Sequence, residues 1–168
     1  MSKVYFIADT HFDHKNVIKY CDRPFNSVEE MNNTIIKNWN EIVQDDDIVY
    51  FLGDFCLNNK NRIIEITKQL KGHKKLVYGN HDRISVSAFQ EAGFEEVSKK
   101  PINIQVEGFG EIFLSHAPNY DNGMYNIHGH VHNAGKGNDN KHFCVSVEMI
   151  NYQPIELNSI IKYFKAEE

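Results

Sequence analysis

Residues 125–133 read YNIHGHVHN, which sets His128, His130 and His132 at every second position around Gly129. The whole chain carries nine histidines, so three within five residues ask for a chemical reason. Four other polar clusters share this setting, each closing a short apolar run. KVYFIA stops at Asp9-Thr10-His11, IVYFL at Gly53-Asp54, KLVY at Gly79-Asn80-His81-Asp82, and EIFL at Ser115-His116. Carboxylate, imidazole and amide oxygen suit manganese, iron, zinc, nickel or cobalt, and the set lacks the thiolates of a structural zinc site. Asp9, His11, Asp54, Asn80, His116, His130 and His132 exceed what one ion needs if it is to keep an open position. Divided between two ions by a bridging carboxylate, they leave room for water at each. Cations about 3.5–4 Å apart can clamp the attacking and leaving oxygens of an in-line displacement. Phosphoester hydrolysis is the chemistry such a pair serves.

These residues meet only if the apolar runs are strands whose carboxyl ends share one edge, where ligands of α/β sheets bind. Between the runs lie helical patterns. Ser27-Val28-Glu29-Glu30 has the form of a capping box, and Val28, Met31, Ile35, Trp39 and Ile42 follow at spacings of three and four. Residues 59–71 repeat the pattern and stop at Gly72, and residues 85–92 form a shorter candidate closed by Gly93. Residues 102–114 read as a hairpin, 133–141 as a polar loop, and 142–149 as a further alternating strand. Asn158 is placed to cap a last helix running to Lys165. The expectation is an α/β sheet layered by helices, richer in strands in its second half.

At 168 residues the chain reads as one domain, 1–168, able to bury its own core. A net charge of −5 argues against a dedicated nucleic-acid grip and fits a nucleotide-sized substrate better than a long duplex. Cys21, Cys56 and Cys144 show no paired spacing, which fits a reducing compartment. With no apolar leader and no run of membrane-spanning length, a cytoplasmic protein without membrane contact is expected.

D-T-H (Asp9 to His11), G-D (Gly53-Asp54), G-N-H-D (Gly79 to Asp82), S-H (Ser115-His116) and G-H-V-H (Gly129 to His132) resemble the ordered motif set of the calcineurin-like metallophosphoesterases. Five motifs in order, from residue 9 to residue 132, span most of the chain. The resemblance implies a layered sheet sandwich flanked by helices. It assigns Asp9, His11 and His132 to one divalent ion and Asn80, His116 and His130 to the other, with Asp54 bridging and manganese the favoured metal. It further implies hydrolysis of a small phosphomonoester or phosphodiester by hydroxide shared between the ions. His81 would protonate the leaving oxygen, and Asp82 would orient His81 and raise its basicity. The competing class is a non-catalytic scaffold that keeps the fold to bind partner proteins; loss of ligands or of His81 would mark it, and all are present here.

Single residues keep plainer alternatives. Asp9 and Asp54 are also turn formers, Asn80 a turn residue, and His116 a core histidine when taken alone. Arg23 and His14 are candidates for substrate contact, Arg23 as a bidentate phosphate clamp, with loop-fixing the alternative. His128 is either a support for a ligand or purely structural, and Cys56 is expected packed rather than reactive. The loops 12–26, 58–61, 119–125 and 133–141 would wall the site, with Tyr20, Phe25, Tyr120 and Tyr125 available to stack on a base or sugar.

Overall fold

The structure is a computed structural model that describes residues 1–135 and 137–167. It has two sheets. The first runs in the order β4-β3-β2-β1-β9, built from β1 (Val4–Ile7), β2 (Ile48–Phe51), β3 (His73–Val77), β4 (Phe94–Ser98) and β9 (Ile155–Glu156). Its first four strands are parallel and β9 joins antiparallel. The second runs β5-β6-β7-β8, from β5 (Ile102–Val106), β6 (Gly110–Ser115), β7 (Tyr125–His128) and β8 (His142–Cys144). Here β5 and β6 form the expected hairpin, while β7 and β8 add in parallel. The sheets are stitched where Ala8, just past β1, pairs with Ser146, just past β8.

Apolar side chains from both sheets enter one core. Phe6, Ile7, Phe51 and Leu52 come from the first, and Ile112, Leu114, Ile127 and Phe143 from the second. Helix α2 (Val28–Ile42) seals one side with Met31, Ile35 and Trp39 fully buried, and the Trp39 Nε1–H donates to the Lys71 carbonyl at 3.0 Å. Its cap forms largely as expected: Ser27 Oγ accepts from the Glu30 N–H, while Glu30 accepts from Asn26 rather than from Ser27. Helices α3 (Lys60–Thr67), α4 (Val86–Glu91) and α5 (Leu157–Ala166) complete the layers. The layered α/β architecture is the one expected. Among the described residues no helix is long and apolar enough to cross a membrane.

The differences are local. Helix α1 (Lys15–Tyr20) lies within the expected loop 12–26; its six residues bury only Val17, too little for a periodic signal. Strand β4 carries exposed Glu95 and Glu96 at the sheet edge, which breaks alternation. Residues 142–149 are not one strand. Pairing ends at Cys144, all three residues of β8 are buried, and the chain turns through a 3-10 helix at Val147–Met149. Asn158 does not cap α5, because its amide donates to Glu156 within the first turn.

Candidate metal centre

Beyond the ends of β1 and β2 the ladder continues irregularly and carries the candidate ligands with it. Asp9 N–H donates to the Gly53 carbonyl and His11 N–H to the Asp54 carbonyl, both at 3.0 Å. The backbone there is unusual: Asp9, His11, Asp54, His130 and His132 all have φ between 47° and 72°. Left-handed conformation costs a non-glycine residue about 1–2 kcal/mol, and such strain persists where surrounding contacts over-determine it. Here the contacts are explicit. His130 N–H donates to Asp9 Oδ2 at 2.8 Å, and the Arg23 guanidinium donates to the carbonyls of Asp9 and Thr10 at 2.6 and 2.8 Å. His130 and His132 are therefore not aligned by an extended segment, as alternation suggested. Tight turns after β7 aim each ring separately.

The seven expected ligand residues converge. Asp54 Oδ2 lies 3.5 Å from His11 Nε2 and 3.4 Å from His116 Nε2, so one oxygen faces both halves of the cluster. On one side, Asp9 Oδ1 is 3.9 Å from both His11 Nε2 and His132 Nε2. On the other, Asn80 Oδ1 is 2.8 Å from His116 Nε2 and 3.1 Å from His130 Nδ1, and the two imidazole nitrogens are 3.1 Å apart. Tautomers are set from behind. The Leu52 carbonyl, 2.8 Å from His116 Nδ1, and Glu148 Oε1, 3.0 Å from His132 Nδ1, require a proton on each Nδ1 and turn each Nε2 lone pair inward.

These residues fit divalent cations. Asp9 Oδ1 and His11 Nε2 are buried without a hydrogen-bond partner, and both aim into the cluster. Buried polar atoms left unpaired are rare enough to need a reason, and a cation supplies one. Asp9, His11 and His132 present donor atoms within 4.8 Å of one another, as do Asp9, Asp54 and His116. Charge tells the same story. Burial pushes the Asp9 carboxyl up to about 6. Burial opposes a proton on His116 and His132, yet the hydrogen bond to Asp54 and the charge of Asp9 hold His116 well above the usual histidine range. Hydrogen bonds to Cys21 and Glu148 do the same for His132. Protons on these rings stand where bound cations would displace them.

The remaining candidates separate. His81 is exposed, its ring 5.5 Å from the His11 ring, and its backbone N–H donates to Asp54 Oδ1 at 2.9 Å. Asp82 does not orient that ring. It is buried, and its oxygens accept the backbone N–H groups of Asp54, Phe55 and Gly79 at 2.7, 3.0 and 2.8 Å, so it ties the two ligand loops together. Arg23 is not a phosphate clamp: its guanidinium is fully buried and donates to Asp9, Thr10, Met31 and Glu148, which leaves no N–H for a substrate. His14 stays in place as a neighbour, 5.6 Å from the His11 ring, with Nδ1 buried and unpartnered.

His128 is structural. It is fully buried, its ring nitrogens facing the carbonyls of Gly129 and Gly137. Cys56 is buried, and burial pushes its thiol up to about 12, so it is packed as expected. Of the four aromatics, exposed Tyr20 stands beside His14, whereas Phe25 packs on Tyr152, Tyr120 on His142, and Tyr125 on Phe109 and Phe164. Two contributors lie beyond the last motif and give no sequence signal: Ser146, whose hydroxyl donates to Asp9 Oδ2 at 2.6 Å, and Glu148 behind His132.

Gly79 shows how tightly the loops are set. A Cβ there lands on Asp54 Oδ1 and 2.5 Å from the Asp54 backbone nitrogen, so only glycine lets the β2 and β3 loops touch. Gly79→Ala is expected to cost about 1–3 kcal/mol in chemical denaturation with chelator present. It should also weaken manganese binding in calorimetry; unchanged binding would show that the loops can part without moving Asp54.

The calcineurin-like phosphoesterase family profile matches residues 2–162. An uncharacterized protein of Methanocaldococcus jannaschii is 41% identical over 177 aligned positions, covering 96% of this chain and 91% of that protein. The gene 66 protein of Mycobacterium phage L5 is 29% identical, with 79% of this chain and 78% of that protein covered. A solved protein of unknown function from Aquifex aeolicus has a TM-score of 0.76 at 30% identity over 97% of this chain and 100% of that one. A nuclease of Pseudomonas putida has a TM-score of 0.50 at 18% identity over 77% of this chain and 61% of its own, a likeness of fold alone.

Proposed function

The chain belongs to the calcineurin-like phosphoesterases, a family of metal-dependent hydrolases, and from that membership we propose that it hydrolyses a small phosphomonoester or phosphodiester at a two-cation centre. The observation that carries this reading is Asp54 Oδ2, set between His11 and His116 with the unpartnered atoms of Asp9 and His11 alongside. Asp9, His11 and His132 would hold one ion and Asn80, His116 and His130 the other, with Asp54 shared. Two divalent cations there would offset phosphoryl charge and lower the pKa of water at the site. Oxygen and nitrogen donors make manganese the working choice.

The protein's own groups do the rest. His81 stands exposed at the mouth and gives a proton to the leaving oxygen, a task suited to an imidazole at neutral pH. Asp82 acts further back, holding the Asp54 and Gly79 loops in register. His14, between the His11 and Tyr20 rings, contacts the substrate, and Tyr20 offers a face on which a nucleotide-like group stacks. Asn80 and His130 are exposed, so the site is open to a compact substrate. The three free, buried cysteines suit a reducing cytoplasm.

The test is hydrolysis of bis(p-nitrophenyl) phosphate and p-nitrophenyl phosphate by the chelator-stripped chain with and without added manganese. Turnover that appears with the ion, disappears on chelation and returns on re-addition is expected. A metal-loaded chain with no turnover on either ester, or on a panel of nucleotides, would favour the scaffold reading.

A further inference from the structure

We propose that Glu148, held by Arg23, is a positioning residue for the Asp9–His11–His132 half of the centre and sets the cation affinity of that half separately from the other. This rests on the two-cation reading above.

Glu148 sits in the 3-10 helix Val147–Met149, and its side chain is 3% exposed. Its Oε1 accepts from His132 Nδ1 at 3.0 Å, from Arg23 Nε at 2.8 Å and from Arg23 Nη2 at 2.7 Å. The same guanidinium donates to the carbonyls of Asp9 and Thr10. One buried cation thus links the carboxylate behind His132 to the strained backbone that presents Asp9. Two residues earlier, Ser146 donates to Asp9 Oδ2 and leaves Oδ1 for the centre. The segment carrying Ser146 and Glu148 is pinned to β1 by the Ala8 pairing, so ligand and support share one rigid connection.

A carboxylate behind a ligating histidine fixes its tautomer and strengthens it as a donor. A buried ion pair is weak evidence for stability, since apolar replacements often serve as well. Glu148 also leaves Oε2 buried without a partner, a cost that packing alone does not repay. Among the described residues no carboxylate stands behind a ring of the other half in this way. His116 is backed by the neutral Leu52 carbonyl, and Asn80 and His130 are exposed. Removing the charge at 148 should therefore reach one cation and leave the other.

The experiment is calorimetric titration of manganese into the chelator-stripped full chain, with bound metal counted by mass spectrometry. Wild type is expected to take two ions. Glu148→Gln, which keeps the shape and an acceptor oxygen, should weaken one site by about 10- to 100-fold and leave the other within about threefold. A double-mutant cycle separates positioning from general structure. In a His130→Ala background, which leaves the Asp9 half intact, Glu148→Gln should weaken the remaining site. In a His132→Ala background it should change nothing further, because the ring through which it acts is gone. Should Glu148→Gln fail to fold, Glu148→Asp keeps a negative charge opposite Arg23 and draws it back from His132 Nδ1, and the same one-sided weakening is expected. Equal loss at both sites, no loss at either, or a full effect without His132 overturns the proposal. A wild-type chain that binds no manganese overturns the two-cation reading along with it; two ions bound with the same affinities whatever the residue at 148 overturn this inference alone.

Discussion

Asp54→Ala is expected to bring bound manganese below one ion per chain and to cut kcat/KM by about a thousandfold or more. The reason is that Asp54 Oδ2 faces His11 on one side and His116 on the other, so neither half keeps its full donor set without it. A metal centre supplies several kcal/mol of transition-state stabilisation, and about 4 kcal/mol corresponds to about three powers of ten in rate. The lost side chain also accepts the His81 backbone N–H, so the loop that carries His81 loosens as well. Asp54→Asn isolates the charge, because it keeps the shape and that acceptor. Both variants should lose most of the rise in Tm that manganese gives the wild type, since a ligand stabilises only through its affinity for the folded chain. Metal counting, thermal melts with and without manganese, and turnover of a chromogenic diester check all three. Two ions retained in Asp54→Ala would show that the halves stand independently, and the shared-carboxylate assignment would fail.

Legibility of this site followed the chemistry of the side chain. Asp9, His11, Asp54, Asn80, His116, His130 and His132 were readable because each follows an apolar run and parallel strands bring such ends to one edge. The left-handed backbone at five of them was not, since aspartate and histidine give only a weak sign of a positive φ in a sequence. The motif resemblance misled at Asp82. That residue neighbours His81 in the chain, yet its carboxylate points away onto three backbone donors. Arg23 had the right chemistry for a phosphate but lies inside the protein, and its carboxylate partner stands 125 positions later. No local pattern reports a contact of that span. The same holds for β9, two residues whose pairing with β1 exists only in the folded chain.

The correction at Asp82 sharpens what to expect of its neighbour. His81→Ala should lower kcat by about 10²- to 10⁴-fold, the usual reach of a positioned acid or base, and leave two manganese ions bound. Metal survives because the contact between residue 81 and Asp54 is made by the backbone N–H, which alanine keeps. The deficit should grow with the basicity of the leaving group: small for a nitrophenolate, which departs without help, and large for an alkoxide or a ribose hydroxyl. Were Asp82 merely an orienting partner for the His81 ring, Asp82→Ala would repeat this pattern more weakly. Instead it strands the buried N–H groups of Asp54 and Phe55 and the half-buried one of Gly79. Each stranded donor costs about 1–3 kcal/mol, and the loops that seat Asp54 and Asn80 separate. Asp82→Ala should therefore lose metal and stability together, with a deficit blind to the leaving group. Measuring kcat for both variants across aryl and alkyl esters, with metal counted in parallel, separates the roles. Full activity of His81→Ala on an alkyl ester would remove His81 as the proton donor, and Asp82→Ala with both ions bound would return Asp82 to the ring.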